Sequence, residues 1–269
     1  MLIIKAFLNY SDVFLLVFVR IVAFILIAPA FSGNNINNLS KLAFAASAAF
    51  LVTSSGLVTS AINVNSGPGF VLLLLQEFLT GFITGFIVYL AFSIVFFSGQ
   101  LIDFQIGFAM VNVFDPITQI QVPIVGNLFF LTLLAMLVQS GGINALLSAL
   151  FHSYEILPIG GAVILSNRAL MQIVLDLMGS FMVLAIQTAL PIMGTIMIID
   201  VSLGLLVKAV PQMNVFVVGM PIKLLVGLAM LFILAPILSH VYNSIFELAF
   251  TAAIGTLRSL AIEFFPATP

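Results

Sequence analysis

Residues 210–223 read VPQMNVFVVGMPIK and interrupt a C-terminal region that is otherwise almost continuously apolar. Pro211 and Pro221 each remove a backbone N–H donor and fix φ, whereas Gly219 can adopt conformations that are closed to other residues. We therefore expect one helix to end near Val210 and a second to begin at Pro221, because proline is favoured in the first helical turn. The stretch then folds two apolar helices back on each other.

The composition places the chain among membrane proteins. Of its 269 residues, 63% are hydrophobic and 6% are charged, and the mean hydropathy is +1.34. Soluble domains are roughly 45–50% apolar. The net charge of −2 offers no basic field, so we expect no nucleic acid partner. The absence of cysteine excludes disulfides and thiolate metal sites.

Successive apolar runs predict an all-α, polytopic membrane-class protein of packed helical hairpins. The runs are 12–31, 39–62, 71–98, 124–154, 168–199, 221–240 and 241–262. Their lengths suit about six to eight membrane spans, with a tight turn at Gly141 and Gly142 inside the fourth run. Gly81 and Gly85 form a small-residue pair that lets helices approach closely. The first run is too long for a signal peptide and carries Arg20, so we expect it to remain in the chain.

Several charged residues lie inside or beside these runs, where a charge is costly and usually faces a partner or a polar cavity. The candidates for ion pairs or subunit assembly are Arg20, Glu77, Asp103, Asp115, Asp200, Lys208 and Lys223. We expect too few internal partners for these charges, and Arg20 could alternatively extend to the membrane interface. The intramembrane charges, with Asp176, could instead form the ion relay of a secondary transporter. The chain lacks the two matching halves that are typical of such carriers.

Residues 99–123 read GQLIDFQIGFAMVNVFDPITQIQVP and mix polar with apolar side chains. Such a segment is poorly suited to face lipid, because irregular backbone at membrane depth needs protein or water partners. We expect either a surface loop or a re-entrant, pore-lining segment that interrupts the helices from Gly99 onward.

The sequence contains no recognisable catalytic pattern. It has no HExxH motif and no P-loop, and its two histidines are far apart without clustered carboxylates. Ser98 and Gly99 resemble part of an intramembrane serine protease motif, but Phe96 occupies the position of a required glycine. We therefore expect no enzyme, no metal site and no cofactor.

Three groups of residues resemble one known family. They are PQ-M-NVF-VVG-M-PIK in 211–223, GQLIDFQ-G followed by Asp115 and Pro116, and Arg20 followed by Ala28, Pro29 and Phe31. They occur in the same order as in the FliR family, the R-type subunits of flagellar and type III secretion export gates. Asn37 and Asn38 depart from the family pattern, which commonly has a proline there.

This resemblance implies a structural channel subunit of the flagellar type III protein export gate. The subunit would help to form and seal the pore for unfolded flagellar proteins, in the bacterial inner membrane at the flagellar basal body. Its partners would be the P-type and Q-type subunits (FliP and FliQ), an FlhB-type component and membrane lipid. The single domain 1–269 would join a P-like part, about 1–165, to a Q-like part, about 166–269. The equivalent injectisome subunit is the alternative, although the NVFVVG form looks more flagellar.

The resemblance also implies roles for two groups of residues. The pore-plug candidates are Phe108, Met110, Val113 and Phe114. Their apolar bulk would close the resting pore by dewetting, with Met110 and Val113 at positions that are often phenylalanine in the family. The same side chains could instead pack beneath a surface loop. The loop signature, which we expect to serve assembly rather than conduction, is Pro211, Gln212, Asn214, Gly219 and Pro221.

Overall fold

The computed structural model describes residues 2–32, 37–55, 67–108, 123–160, 168–212 and 214–262. These residues form α-helices and short connections without a strand, which confirms the predicted all-α fold class. The helices are α1 (Leu2–Ile27), α2 (Pro29–Ser32), α3 (Asn38–Ser54), α4 (Gly67–Ile106), α5 (Ile124–Gln139), α6 (Gly142–Ile156), α7 (Arg168–Ala209) and α8 (Val215–Ile262).

The helices contribute to two compact units, each built from separate parts of the chain. The first unit comprises Met1–Leu90, Gly141–Leu177 and Glu247–Pro269. In it α1 packs against α3, and Ile21 and Phe24 of α1 are completely buried. A second cluster in this unit joins Ile87 to Ala252 and Ala253.

The second unit comprises Ala91–Ser140 and Met178–Phe246. Phe92 packs edge-on against Phe130, with ring centroids 6.2 Å apart. The buried Tyr242 shares a hydrogen bond of 2.8 Å with the Thr132 hydroxyl, so the one polar atom of this aromatic side chain is satisfied. Each of α4, α7 and α8 contributes residues to both units.

Three helices in the described part of the chain are long and apolar enough to cross a membrane. They become four if α5 and α6 are counted as one broken span. The expected six to eight spans are therefore too many for these residues. One reason is that 221–240 and 241–262 belong to a single helix, α8, with Pro221 and Pro236 inside it. Proline is tolerated inside membrane helices because neighbouring groups satisfy the freed backbone atoms.

The bend at 210–223 begins where it was predicted, since α7 ends at Ala209. The next helix begins at Val215, six positions before Pro221, which corrects the predicted start. Asn214 explains the difference, because its side chain accepts a hydrogen bond from Phe216 N at 3.1 Å and acts as an N-cap. Gly219 therefore lies within the first turns of a helix, and it does not use the additional conformations that glycine permits.

Two further boundaries concern the middle of the chain. The predicted helix, turn and shorter helix in 124–154 are confirmed as α5 and α6, with Gly141 at φ 71° between them. The interruption predicted from Gly99 begins later, because α4 continues to Ile106. The helix α4 stops just before Gly107, whose φ of 99° is readily adopted only by glycine.

Candidate functional site

A buried ion pair joins α1 to α4 in the first unit. Arg20 Nε donates to Glu77 Oε2 at 2.6 Å, and each side chain is only 1% exposed. A charge-assisted hydrogen bond of this length is strong, but a buried pair is tolerated only when its other polar atoms also find partners. The contribution of this ion pair to stability therefore depends on the hydrogen bonds that surround it.

Those other polar atoms contact the end of α6 and the turn that follows it. Arg20 Nη1 donates to the Ser153 carbonyl and hydroxyl, both at 3.2 Å, and to the Leu157 carbonyl at 3.1 Å. Glu77 Oε1 accepts from Gly160 N at 3.3 Å. A cation at the carbonyl end of a helix is also favoured by the helix dipole. The ion pair thus fixes a third element beside α1 and α4.

Tyr154 completes the network from α6. The guanidinium carbon of Arg20 lies 4.3 Å from the centre of the Tyr154 ring, a cation–π distance. The Tyr154 hydroxyl donates to the Val17 carbonyl at 3.1 Å. The sequence did not identify Ser153, Tyr154 or Gly160, since two of the contacts use backbone atoms that every residue possesses.

Two glycines set the spacing between α1 and α4. A Cβ atom built on Gly81 would overlap the Arg20 carbonyl oxygen, and one on Gly85 would lie 3.1 Å from the Phe24 carbonyl oxygen. The predicted packing role of this glycine pair is therefore confirmed. The close approach is what allows Arg20 to reach Glu77.

Two acidic residues of the second unit also find partners within the chain. Asp103 accepts backbone hydrogen bonds from Val125 and Gly126, and Asp200 forms an ion pair with Lys223. Within the described part of the chain, five of the candidate charges thus have internal partners, more than the expectation of too few partners allowed: Arg20, Glu77, Asp103, Asp200 and Lys223.

The remaining predicted residues are placed as follows. Lys208 is exposed in the last turn of α7, and Pro211 and Gln212 are exposed at the bend. Phe108 is half-buried just after α4. Met110, Val113, Phe114 and Asp115 lie outside the described residues.

The carboxylates in these arrangements are engaged in contacts between chain segments. Both oxygens of Glu77 and both oxygens of Asp103 accept hydrogen bonds from fixed donors. Within the residues that the structure describes, no three His, Cys, Asp or Glu side chains are grouped as metal ligands would be. Glu77 and Asp103 therefore have both carboxylate oxygens engaged within the chain.

The fold and these contacts define a multi-pass helical membrane protein whose buried charges hold its helices together. The chain matches the family described as "Bacterial export proteins, family 1" over residues 12–249. It therefore belongs to that family, which confirms the resemblance found in the sequence.

Individual relatives agree with this membership. The chain is 28% identical to the "Flagellar biosynthetic protein FliR" of Bacillus subtilis, over 92% of this chain and 93% of the relative. It is 32% identical to the protein of the same name from Pectobacterium carotovorum, over 89% of this chain and 92% of the relative. The "Secretion system apparatus protein SsaT" of Salmonella typhimurium is 31% identical over 62% of this chain and 64% of its own length.

Proposed function

We propose that this chain is a structural channel subunit of the flagellar type III protein export gate, where it helps to form and seal the export pore. The observation that carries the proposal is the likeness to FliR proteins over about nine tenths of both chains. The contacts agree with it, because the intramembrane charges that a transporter would need for an ion relay are engaged in packing. The proposed role is structural and assigns this chain no reaction and no cofactor.

A flagellar role is favoured over the equivalent injectisome role. The match to SsaT covers 62% of this chain, whereas the match to the Bacillus subtilis FliR covers 92%. The residues NVFVVG at 214–219 also favour a flagellar role. Exported, unfolded flagellar proteins would then be the molecules that pass through the pore.

The outer surface of α7 and α8 supports the assignment of partners. Large apolar side chains such as Met197, Phe216 and Phe232 are exposed on these helices. Such a surface must be covered by lipid or by other apolar helices. We assign it to the P-type and Q-type subunits, FliP and FliQ, an FlhB-type component and membrane lipid, in the bacterial inner membrane at the flagellar basal body.

The P-like part, about 1–165, and the Q-like part, about 166–269, remain part of this proposal. We also propose that the bend from Pro211 to Pro221 serves assembly, together with the charges beside it, Lys208 and Lys223.

Deletion of the gene distinguishes an export-gate subunit from a transporter. We expect the deletion strain to lose flagella and secretion of flagellar proteins while solute uptake stays normal, and a plasmid copy to restore both. Loss of solute uptake in a strain that keeps its flagella would overturn the proposal in favour of a carrier.

The sealing role predicts a leak from smaller side chains. Replacing Met110 and Val113 together by glycine should raise the ion and small-solute permeability of cells that express the complex, because a dewetted constriction depends on apolar bulk. Complex yield should stay close to that of the wild type. Background permeability combined with a lower complex yield would show instead that the two side chains only pack.

A further inference from the structure

A small cavity lies between α1 and α3, in the first unit. Its volume is about 210 Å³, and its rim is open to the surface because Leu26, Asn38 and Leu42 are exposed. Four aliphatic side chains and two polar ones line it: Val22, Ile25, Leu26, Leu42, Asn38 and Lys41. Both polar side chains come from the beginning of α3. The cavity thus combines an apolar lining with an amide and a cation.

The sequence around this cavity offers Lys41 no carboxylate. No Asp or Glu occurs between Asp12 and Glu77, and Glu77 is already paired with Arg20. Asp12 lies ten positions before Val22, which is about 15 Å along α1. Among the ion pairs of the described residues, none includes Lys41. The hairpin of α1 and α3 therefore carries a positive charge that an external anion would balance.

The outer surface of α3 continues the apolar character of the cavity. Leu39, Phe50 and Leu51 are 72%, 65% and 63% exposed, so lipid chains or apolar helices must cover them. Lysine beside such a surface is typical of the membrane boundary, where its methylene stem lies along apolar groups while the ammonium reaches the headgroups. Lys41 is suited to contact a charged headgroup in this way.

We propose that the cavity between α1 and α3 binds one anionic phospholipid. Part of an acyl chain would lie among Val22, Ile25 and Leu42, with the phosphate near Lys41 and the Asn38 amide as a further donor. A free phosphate would leave the apolar lining uncovered, and a lipid without net charge would leave the charge of Lys41 unbalanced. The proposal does not depend on the export function, because it uses only the contacts of α1 and α3.

The size of the cavity favours an acyl chain over a helix from another subunit. A helix with its side chains is about 10–12 Å across, whereas sites for whole drug-sized molecules have volumes of about 300–1,000 Å³. A cavity of about 210 Å³ is smaller than such sites and admits a narrow chain. A lipid therefore fills this space better than a packed helix does.

Lipid binding is measured on the complex of this chain with its partner subunits, purified in mild detergent and stripped of lipid. The complex is titrated with labelled phosphatidylglycerol, which is anionic, or with labelled phosphatidylcholine, which has no net charge. We expect phosphatidylglycerol to bind roughly fivefold more tightly, since one lysine near an anionic lipid supplies a preference of that order. Sites on the partner subunits are common to all variants, so the site on this chain is read from differences between variants.

Three variants separate the two parts of the site. Lys41→Gln keeps most of the stem and removes the charge, so the roughly fivefold preference should disappear while phosphatidylcholine binds as before. Val22→Phe fills the cavity and should weaken the binding of both lipids. Arg258→Gln removes an exposed arginine that does not line the cavity, and it should bind both lipids like the wild type.

Several results would overturn the proposal. A preference for phosphatidylglycerol that survives Lys41→Gln, or that Arg258→Gln also abolishes, would show that Lys41 does not select the lipid. Displacement of the lipid by an equal concentration of glycerol phosphate would indicate a phosphate site without an acyl chain. Equal lipid binding by the wild type and Val22→Phe would mean that the cavity is not used, as it would be if another subunit covered it.

Discussion

Replacing Arg20 by alanine is expected to abolish accumulation of the gate complex. The substitution leaves the Glu77 carboxylate buried without its cation, and it removes one donor to the Ser153 carbonyl and both guanidinium donors to the Leu157 carbonyl. Removing one partner of a buried ion pair costs about 3–5 kcal/mol, a large part of the roughly 5–15 kcal/mol that stabilises a typical domain. Complex yield from membranes and its heat resistance in mild detergent measure the effect.

Two further variants make this prediction specific. Arg258→Ala removes an exposed arginine from α8 and should leave yield unchanged. Arg20→Met combined with Glu77→Gln removes both charges and keeps an oxygen that can accept from Gly160 N, so it should recover part of the lost yield. Wild-type yield and heat resistance in Arg20→Ala would contradict the central place of the ion pair.

Gly81→Ala should have the second largest effect. Its new methyl group would overlap the Arg20 carbonyl oxygen, so α1 and α4 must separate. Overpacking of this kind typically costs 1–3 kcal/mol, and here the shift also draws Arg20 away from Glu77. We therefore expect a loss of heat resistance in the complex, with yield reduced less severely than by Arg20→Ala.

The matched control is Gly179→Ala on α7. No heavy atom lies within 4 Å of a Cβ built there, and alanine favours a helix over glycine by about 1 kcal/mol. This variant should be as heat-resistant as the wild type or slightly more so. If both glycine variants behaved alike, close helix contact at Gly81 would not be important for stability.

Sequence patterns predicted the class of the protein because hydropathy depends on composition alone. They also predicted the end of α7 and the turn at Gly141, where local residues dominate. They failed at Pro221, because the N-cap hydrogen bond of Asn214 starts the helix earlier and proline is tolerated inside it. Asn214 and Pro221 are both typical of a helix start, and the sequence alone could not decide between them.

The partners of the buried charges were beyond the reach of the sequence for another reason. Glu77 is one of several acidic residues that could have paired with Arg20, and Asp103 has backbone N–H groups as partners. Backbone donors and acceptors have no signature in a sequence, so only the arrangement of helices reveals them. The same limit explains why Asp103 was expected to form an ion pair or to assemble subunits, whereas its carboxylate accepts hydrogen bonds from backbone N–H groups in the first turn of α5.

The central claim, that this chain is a subunit of an export gate, is tested most directly by co-purification. The chain is expressed with a P-type subunit and a tagged Q-type subunit, and the complex is isolated through the tag in mild detergent. We predict that the chain elutes with both subunits as one species that is more heat-resistant than the chain alone. Recovery of the P-type and Q-type subunits without this chain, together with a monodisperse and equally heat-resistant chain on its own, would contradict the claim.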